Sequence, residues 1–181
     1  SNWYNLLMKY LVNFFVIIFF SFYSNIASSN EKIVYINMSQ ILNKSIAGNF
    51  IINEIEKIHK ANIVEFKKIE KNLKDIEKNI LAQKNILSDD EYKKKITSLK
   101  TQINNYNSKK NKKINELKQK RINAQNELLS NLQLILTKYS TDNNISYILN
   151  KKNVVVAKKS LDITKDIIDL LNQKLKKIKI N

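Results

Sequence analysis

A long stripe of positions with alternating three- and four-residue spacing is the feature that most constrains this chain. Its members, mostly apolar, are Ile52, Ile55, His59, Asn62, Phe66, Ile69, Leu73, Ile76, Ile80, Gln83 and Leu87. A second stripe follows at Tyr92, Ile96, Leu99, Ile103, Tyr106, Ile114, Leu117, Ala124, Leu128, Leu132, Ile135 and Tyr139. This spacing is typical of coiled-coil helices. Because one helix cannot bury such a stripe by itself, each stripe needs a partner.

The segment between the two stripes carries a helix-start signal. Ser88 has the residue type of a helix N-cap, and Glu91 three residues later completes a capping-box pattern. One uninterrupted helix that contains this pattern by chance is the alternative. Two stripes of comparable length favour an antiparallel helical hairpin over residues 49–140, with its tip at 87–90. At about 1.5 Å per residue, an arm of roughly 38 residues is about 55 Å long and projects from the rest of the chain.

Residues with special chemistry are almost missing, and this limits the classes of function. The chain has one glycine, no proline, no cysteine and one histidine. It therefore has few tight turns, no glycine-rich phosphate loop, no disulfide and no thiol. A metal cluster or a nucleophile–histidine arrangement is not expected either. We predict that the chain is not an enzyme and needs no cofactor or metal, and that His59 is a packed or partly solvated residue of the stripe rather than a pH switch.

The residues before the hairpin are predicted to form a strand and a short helix. Residues 32–37, KIVYIN, alternate and are rich in β-branched side chains, as strands are. The helix that follows is predicted to end at Gly48, because glycine takes a positive φ without strain. Residues 29–48 would then supply the first part of a small body.

The residues after the hairpin are predicted to return to strand structure. The runs 145–150 and 154–163 have strand character and are separated by a short polar turn. Thr164 is predicted to cap a final amphipathic helix. Residues 141–181 would join 29–48 in a β-rich body, which makes the fold α+β, mostly α, with a long projecting hairpin.

This small body carries more apolar side chain than a few isolated strands can bury. We therefore predict that copies of the chain associate through this body, in which shared strands remove the exposed sheet edges. The positions that we expect at the contact are Val34, Ile36, Val154, Val155, Val156 and Ile163.

The amino-terminal residues predict an export signal. Lys9 precedes an apolar run at 11–23, and small and polar residues follow. This is the layout of a secretory signal peptide, and the run is short for a membrane-spanning helix. Cleavage is predicted at the end of residues 1–28, of which 1–7 lie upstream of the start methionine. An uncleaved anchor on a structural coiled-coil protein of the cell envelope is the alternative.

The formal net charge of +16 is partly concentrated on the second arm. We predict that this arm attracts an anionic partner through its summed field. The residues expected to take part are Tyr92, Lys93, Lys94, Lys95, Tyr106, Lys109, Lys110, Lys112 and Lys113. The alternatives are a solvated face for the lysines, whose number also reflects AT-rich codons, and packing in the stripe for the tyrosines. A nucleic acid is not the predicted partner, because the chain lacks base-reading features.

Residues 107–113 interrupt the second stripe with polar side chains. The interruption is either a point where the arm flexes or a set of polar substitutions that the stripe tolerates.

Several motifs resemble the Skp/OmpH family of periplasmic chaperones. One is the strand and short helix with the sequence IVYINMSQILNKS, and another is the closing run at 161–164. Leu171 and Asn172 resemble the family's usual Leu-Asn pair. The resemblance covers nearly all of the chain after the signal, and it departs from the family at Asn37, where an aspartate is common.

This resemblance implies a homotrimer whose body is assembled from three chains and whose three hairpins enclose a basic cavity. It also implies an ATP-independent holdase that receives unfolded outer-membrane proteins in the periplasm of a Gram-negative bacterium and keeps them soluble. Anionic lipid and lipopolysaccharide headgroups are further candidate partners of the basic cavity.

Overall fold

The computed structural model describes residues 31–180, together with residues 3, 4, 8 and 9. The predicted signal peptide therefore lies largely outside the described residues. In the part of the chain that is described, no helix combines the length and the apolar character that a membrane crossing needs. The chain divides into two compact units, Ser1–Lys32 and Ile33–Asn181. Apart from Lys32, the elements described below belong to the second unit.

Two long helices dominate this unit, and short elements at both ends of the chain surround their base. In chain order the elements are β1 (Lys32–Ile36), α1 (Met38–Lys44), α2 (Ile46–Ala82), α3 (Asp89–Asp142), β2 (Ile145–Asn150) and α4 (Thr164–Lys174). Two short 3₁₀ turns, Lys151–Asn153 and Lys159–Leu161, lie between β2 and α4. The predicted fold class, a mostly helical α+β fold with a long helical hairpin, is confirmed.

The chain reverses direction between α2 and α3, and the predicted capping box is present there. The Ser88 hydroxyl accepts a hydrogen bond from the backbone N–H of Glu91 at 3.4 Å, and the Glu91 carboxylate accepts one from the N–H of Ser88 at 3.1 Å. This bonding lowers the pKa of Glu91, because the side chain and backbone of Ser88 both donate to its carboxylate. The alternative of one uninterrupted helix is therefore excluded.

A single apolar core joins the short elements to the lower turns of both long helices. Its buried members are Val34, Ile36, Ile41, Ala47, Ile51, Ile55, Ala124, Leu128, Leu132, Ile135, Ile145, Ile163, Ile167, Leu171 and Ile178. The predicted body, 29–48 and 141–181, thus shares its core with residues that we assigned to the arm. Burying the bases of the arms in this way fixes their direction relative to the short elements.

Two positions of the predicted first stripe are wrong at the base of α2, where Ile55 is buried as predicted. Ile52 and His59 are exposed, whereas Ile51 is buried and Ile58 is half-buried. The lower turns of α2 pack in the body core as well as on α3, so the body selects which face turns inward. Packing of His59 in the stripe is accordingly not observed.

The prediction of a strand at 154–163 is wrong. Within residues 31–180, β1 and β2 form a two-stranded sheet, and the segment adds only an isolated parallel bridge between Tyr35 and Asp162. The 3₁₀ turns at both ends take up local backbone bonds, such as the 3.0 Å bond from Val154 N–H to the Lys151 carbonyl. The body is therefore less β-rich than predicted.

The prediction that Gly48 ends the short helix is wrong. Gly48 lies in the first turn of α2. Ser45 separates α1 from α2 and caps α2 by accepting a hydrogen bond from Gly48 N–H at 3.1 Å. The φ angle of Gly48 is not positive. Glycine is required here for a different reason, since a Cβ at this position would overlap the backbone carbonyl of Leu42.

Thr164 is the first residue of α4 and not its N-cap, so this prediction is wrong by one position. Its hydroxyl is used elsewhere, since it accepts a hydrogen bond from the backbone N–H of Asn37 at 2.8 Å. The Asp162 carboxylate in turn accepts from the N–H of Thr164 at 3.0 Å. Thr164 therefore connects the start of α4 to the end of β1.

Candidate functional site

Ion pairs join the two arms in the region where the second stripe loses its apolar residues. Glu65 on α2 pairs with Lys109 of α3 at 2.7 Å and also with Lys113. The hydrogen bond from Lys109, followed by that from Lys113, lowers the pKa of Glu65 to about 2. The carboxylate is therefore charged at neutral pH and holds both lysines against α2.

A second polar cluster lies one turn closer to the tip. The Tyr106 hydroxyl donates to the Glu70 carboxylate, and Lys110 Nζ donates to the same oxygen at 3.0 Å. These bonds lower the pKa of Glu70, while burial and then Glu70 raise the pKa of Tyr106. The Phe66 ring stands edge-on to the Tyr106 ring at 6.2 Å, and Lys110 Nζ lies 5.6 Å from the Phe66 centroid. The polar break at 107–113 is therefore helical and bonded across the hairpin.

The structure divides the predicted basic site into two groups. Lys109, Lys110 and Lys113 pair with carboxylates of α2, and Tyr106 is buried between the helices. The other cations are exposed and have no carboxylate within 4 Å in the described part of the chain; they are Lys93, Lys94, Lys95 and Lys112. Tyr92 is half-buried near the tip. The nine predicted residues thus differ in what they contact, and Tyr106 packs between the helices.

The Leu-Asn pair connects the body to the base of the arm. Leu171 is fully buried in the core, and the Asn172 carboxamide oxygen accepts a hydrogen bond from the backbone N–H of Ile46 at 2.7 Å. Ile46 is the first residue of α2, whose initial N–H groups have no partner within the helix. Asn172 therefore supplies a cap from another element. Sequence reasoning had singled out this pair only by resemblance.

Asn37 is the N-cap of α1. Its side-chain oxygen accepts a hydrogen bond from Gln40 N–H at 3.0 Å and so caps α1. An aspartate at this position would accept the same bond.

The predicted contact residues of the body also divide into two groups. Val34, Ile36 and Ile163 are buried inside the single chain. Val155 and Val156 are 98% and 89% exposed, and Val154 is half-buried. Sequence reasoning missed three further exposed apolar residues on β1 and β2, namely Ile33, Tyr147 and Leu149. Their position on two predicted short strands, whose edges need partners, could have identified them.

The described residues offer no site for a metal, since no group of His, Asp and Glu side chains among them is placed to hold one. The arrangement can instead do two things. The body holds the base of the hairpin in a fixed direction, and the hairpin presents cations and some apolar surface to the solvent. These are properties of a binding surface.

Comparisons with known proteins agree with this arrangement. The sequence model of the family described as "Outer membrane protein (OmpH-like)" matches residues 32–171. A crystal structure of a protein described as an OmpH-like outer membrane chaperone, from Caulobacter crescentus CB15, has a TM-score of 0.78 and 16% sequence identity. The match covers 83% of this chain and 89% of that chain, and it shows that the fold is shared. No curated protein sequence is significantly similar. Because the matched residues run from β1 into α4, this chain belongs to the OmpH-like outer membrane protein family.

Proposed function

We propose that this protein is an ATP-independent holdase chaperone of the periplasm, which binds unfolded outer-membrane proteins and prevents their aggregation. The observation that carries the proposal is an OmpH-like hairpin whose outer half presents cations without partner carboxylates. The fold shared with a protein described as an outer membrane chaperone supports it. The prediction that the chain is not an enzyme agrees with its family.

The proposed oligomer is a homotrimer that forms through the body. Val155 and Val156 are almost fully exposed, and Ile33, Tyr147 and Leu149 lie exposed on the two short strands. A two-stranded sheet has two edges, and further strands from other copies would cover them. Three arms would then surround a common space into which clients enter.

The exposed lysines supply attraction over a distance rather than tight contact. Lys93, Lys94, Lys95 and Lys112 are exposed, so each one contributes about 0 to 1 kcal/mol to a contact in water. Several such charges on each of three arms would act together, and a summed field raises the rate at which an anionic chain arrives. The same field would attract anionic lipid and lipopolysaccharide headgroups.

Light scattering tests the proposal directly. An outer-membrane β-barrel protein is diluted from denaturant with and without this protein, without nucleotide, at low and high salt. Changing Lys93, Lys94, Lys95 and Lys112 together to Gln should slow capture severalfold at low salt and flatten its salt dependence. The lysines that bind Glu65 and Glu70 are left intact, because removing them would also disturb the hairpin.

A matched control removes the same charge from the body. Lys158, Lys176, Lys177 and Lys179 are exposed, and changing them to Gln should leave capture close to that of the parent. Equal protection by both variants at both salts would show that the arm is only a solvated face. Equal loss in both variants would show that net charge matters and its place does not.

A further inference from the structure

A groove of about 710 Å³ lies along one side of the hairpin between α2 and α3. Ile63 of α2 and Ile114 of α3 line it and are 37% and 51% exposed. Buried Phe66 contributes to its lining, and Ile55 from the body core lies at one end. The volume falls in the range of cavities that bind ligands, about 300 to 1,000 Å³. The hairpin thus leaves apolar surface open on its side.

The cations and carboxylates of this groove are not balanced. Lys67, Lys118 and Arg121 line it, and none has a carboxylate within 4 Å among residues 31–180. The two carboxylates of the groove are already bound, since Glu56 pairs with Lys60 at 2.7 Å and Glu70 binds Lys110 and Tyr106. What remains available to a ligand is apolar surface with positive charge beside it, together with the polar side chains of His59 and Asn62.

We propose that this groove is a binding site for a short extended polypeptide segment that places an apolar side chain between Ile63 and Ile114 and a carboxylate near Lys67, Lys118 or Arg121. The inference rests on the proposed function and gives it a location on the arm. Ile63 and Ile114 are exposed to the solvent, so a segment can reach them without any part of the hairpin unfolding. A folded protein hides most of its large apolar side chains, whereas an unfolded chain exposes them together with its carboxylates.

Binding through such a site is weak for one groove and stronger for several. One apolar side chain and one exposed ion pair give a modest gain, part of which is lost in ordering the segment. Several grooves that contact one long chain raise its local concentration at each of them, so that the whole chain is held while each segment exchanges. This fits retention and release without ATP.

Binding of a synthetic peptide tests the site. The probe is a fluorescein-labelled unstructured peptide that contains one Phe, one Leu and three Asp residues, and fluorescence anisotropy measures its Kd. Changing Ile63 and Ile114 to Ser should weaken binding about tenfold, because these residues are 37% and 51% exposed and can lose that apolar area of contact with the ligand. The matched control changes Val64 and Leu134 to Ser. These two exposed residues lie on the same helices outside the groove, and we expect less than a twofold effect.

The charge of the groove is tested with a second peptide in which Asn replaces each Asp. Changing Lys67, Lys118 and Arg121 to Gln should weaken the acidic peptide by about three- to tenfold and leave the neutral peptide unchanged. A benzophenone amino acid at position 63 should crosslink the acidic peptide, and the same group at position 64 should not. Crosslinking does not depend on the stability of the serine variants. Circular dichroism confirms that each variant keeps its helices.

Several results would overturn the proposal. One is equal binding of the peptide by the groove and control variants, and another is equal crosslinking at positions 63 and 64. A third is that the groove variants bind the peptide as the parent does but no longer bind anionic phospholipid vesicles. A groove that is occluded by a second copy would appear as concentration-dependent crosslinking between chains and would also count against it. Failure of the holdase proposal is separate, because it requires that the parent protein does not suppress aggregation in the scattering assay.

Discussion

At the scale of single residues, a few polar side chains decide where the helices begin. Ser45 and Ser88 each accept a hydrogen bond from a backbone N–H in the first turn of the helix that follows. Asn172 does the same for the first residue of α2 from a distant part of the chain. Such caps satisfy N–H groups that have no partner within the helix. The contacts of Gly48 and Glu65 lead to two predictions that the local sequence alone does not allow.

Replacing Gly48 by Ala should destabilise the protein. In an ordinary helix this change stabilises by about 0.5 to 1 kcal/mol, because glycine loses more backbone entropy on folding. Here the added Cβ would overlap the Leu42 carbonyl, and we expect a net loss of about 1 to 3 kcal/mol. Urea unfolding followed by circular dichroism measures it, with Asn53→Ala on an exposed turn of α2 as the control. A variant more stable than the parent would show that α1 and α2 do not approach this closely.

Replacing Glu65 by Gln should remove part of the acid sensitivity of the hairpin. The pKa of Glu65 is about 2 in the folded chain, below the ordinary value of about 4.3 for a glutamate. Its contribution to stability is therefore complete above about pH 4 to 5 and is lost as the pH falls toward 2. The free energy of unfolding should differ between parent and variant at pH 6 and converge at pH 2.

The paired lysines provide the control for this pH profile. Changing Lys109 and Lys113 together to Gln should reproduce the convergence, because both cations stabilise the same carboxylate. If the profiles of Glu65→Gln and the parent stay parallel from pH 6 to pH 2, the ion pairs across the hairpin do not form in solution.

At the scale of elements, the hairpin was predictable because its signals are local. The stripes and the capping box can be read within a few residues, and from Phe66 onward most stripe positions are buried or half-buried. The ion pairs of Glu65 depend on the register between two helices, which the stripes alone do not determine. The prediction of a strand at 154–163 was wrong, because residues that favour a strand form one only where a partner strand is available. The groove was missed because it depends on which face of α2 the body turns inward.

Replacing Ser88 by Ala should loosen the tip without unfolding the arm. The change removes the hydroxyl that accepts from Glu91 N–H, and such a cap is worth about 0.5 to 2 kcal/mol. Hydrogen exchange should accelerate at the first amides of α3 and stay unchanged at its middle. Ser98→Ala, within an exposed part of the same helix, is the control. Equal exchange in both variants would mean that the box does not hold the turn.

At the scale of the whole molecule, the proposed trimer places the contact in the body and the binding surface on the arms. The core that includes Ile55 and Ala124 continues into the arm bases, so the body should survive loss of the outer hairpin. Replacing residues 62–119 by a short glycine–serine linker should therefore leave a trimer in sedimentation velocity. A monomer would show that the arms, and not the exposed valines, hold the copies together.

A companion variant keeps the arms and changes the body. Changing Val155 and Val156 to Asp removes exposed apolar surface without touching the core of the single chain. We expect monomers whose helical content is unchanged. A trimer that persists after this change would show that the contact between copies does not depend on these two residues.

The central claim is that an oligomer of this protein holds an unfolded outer-membrane protein without nucleotide, and native mass spectrometry of the exported protein mixed with such a client measures this most directly. The account predicts a complex of three chains, each lacking residues 1–28, with one unfolded client, in buffer that contains no ATP. The mass also reports whether the amino-terminal segment was cleaved. Single chains without client, or client found only in aggregates, would contradict the account.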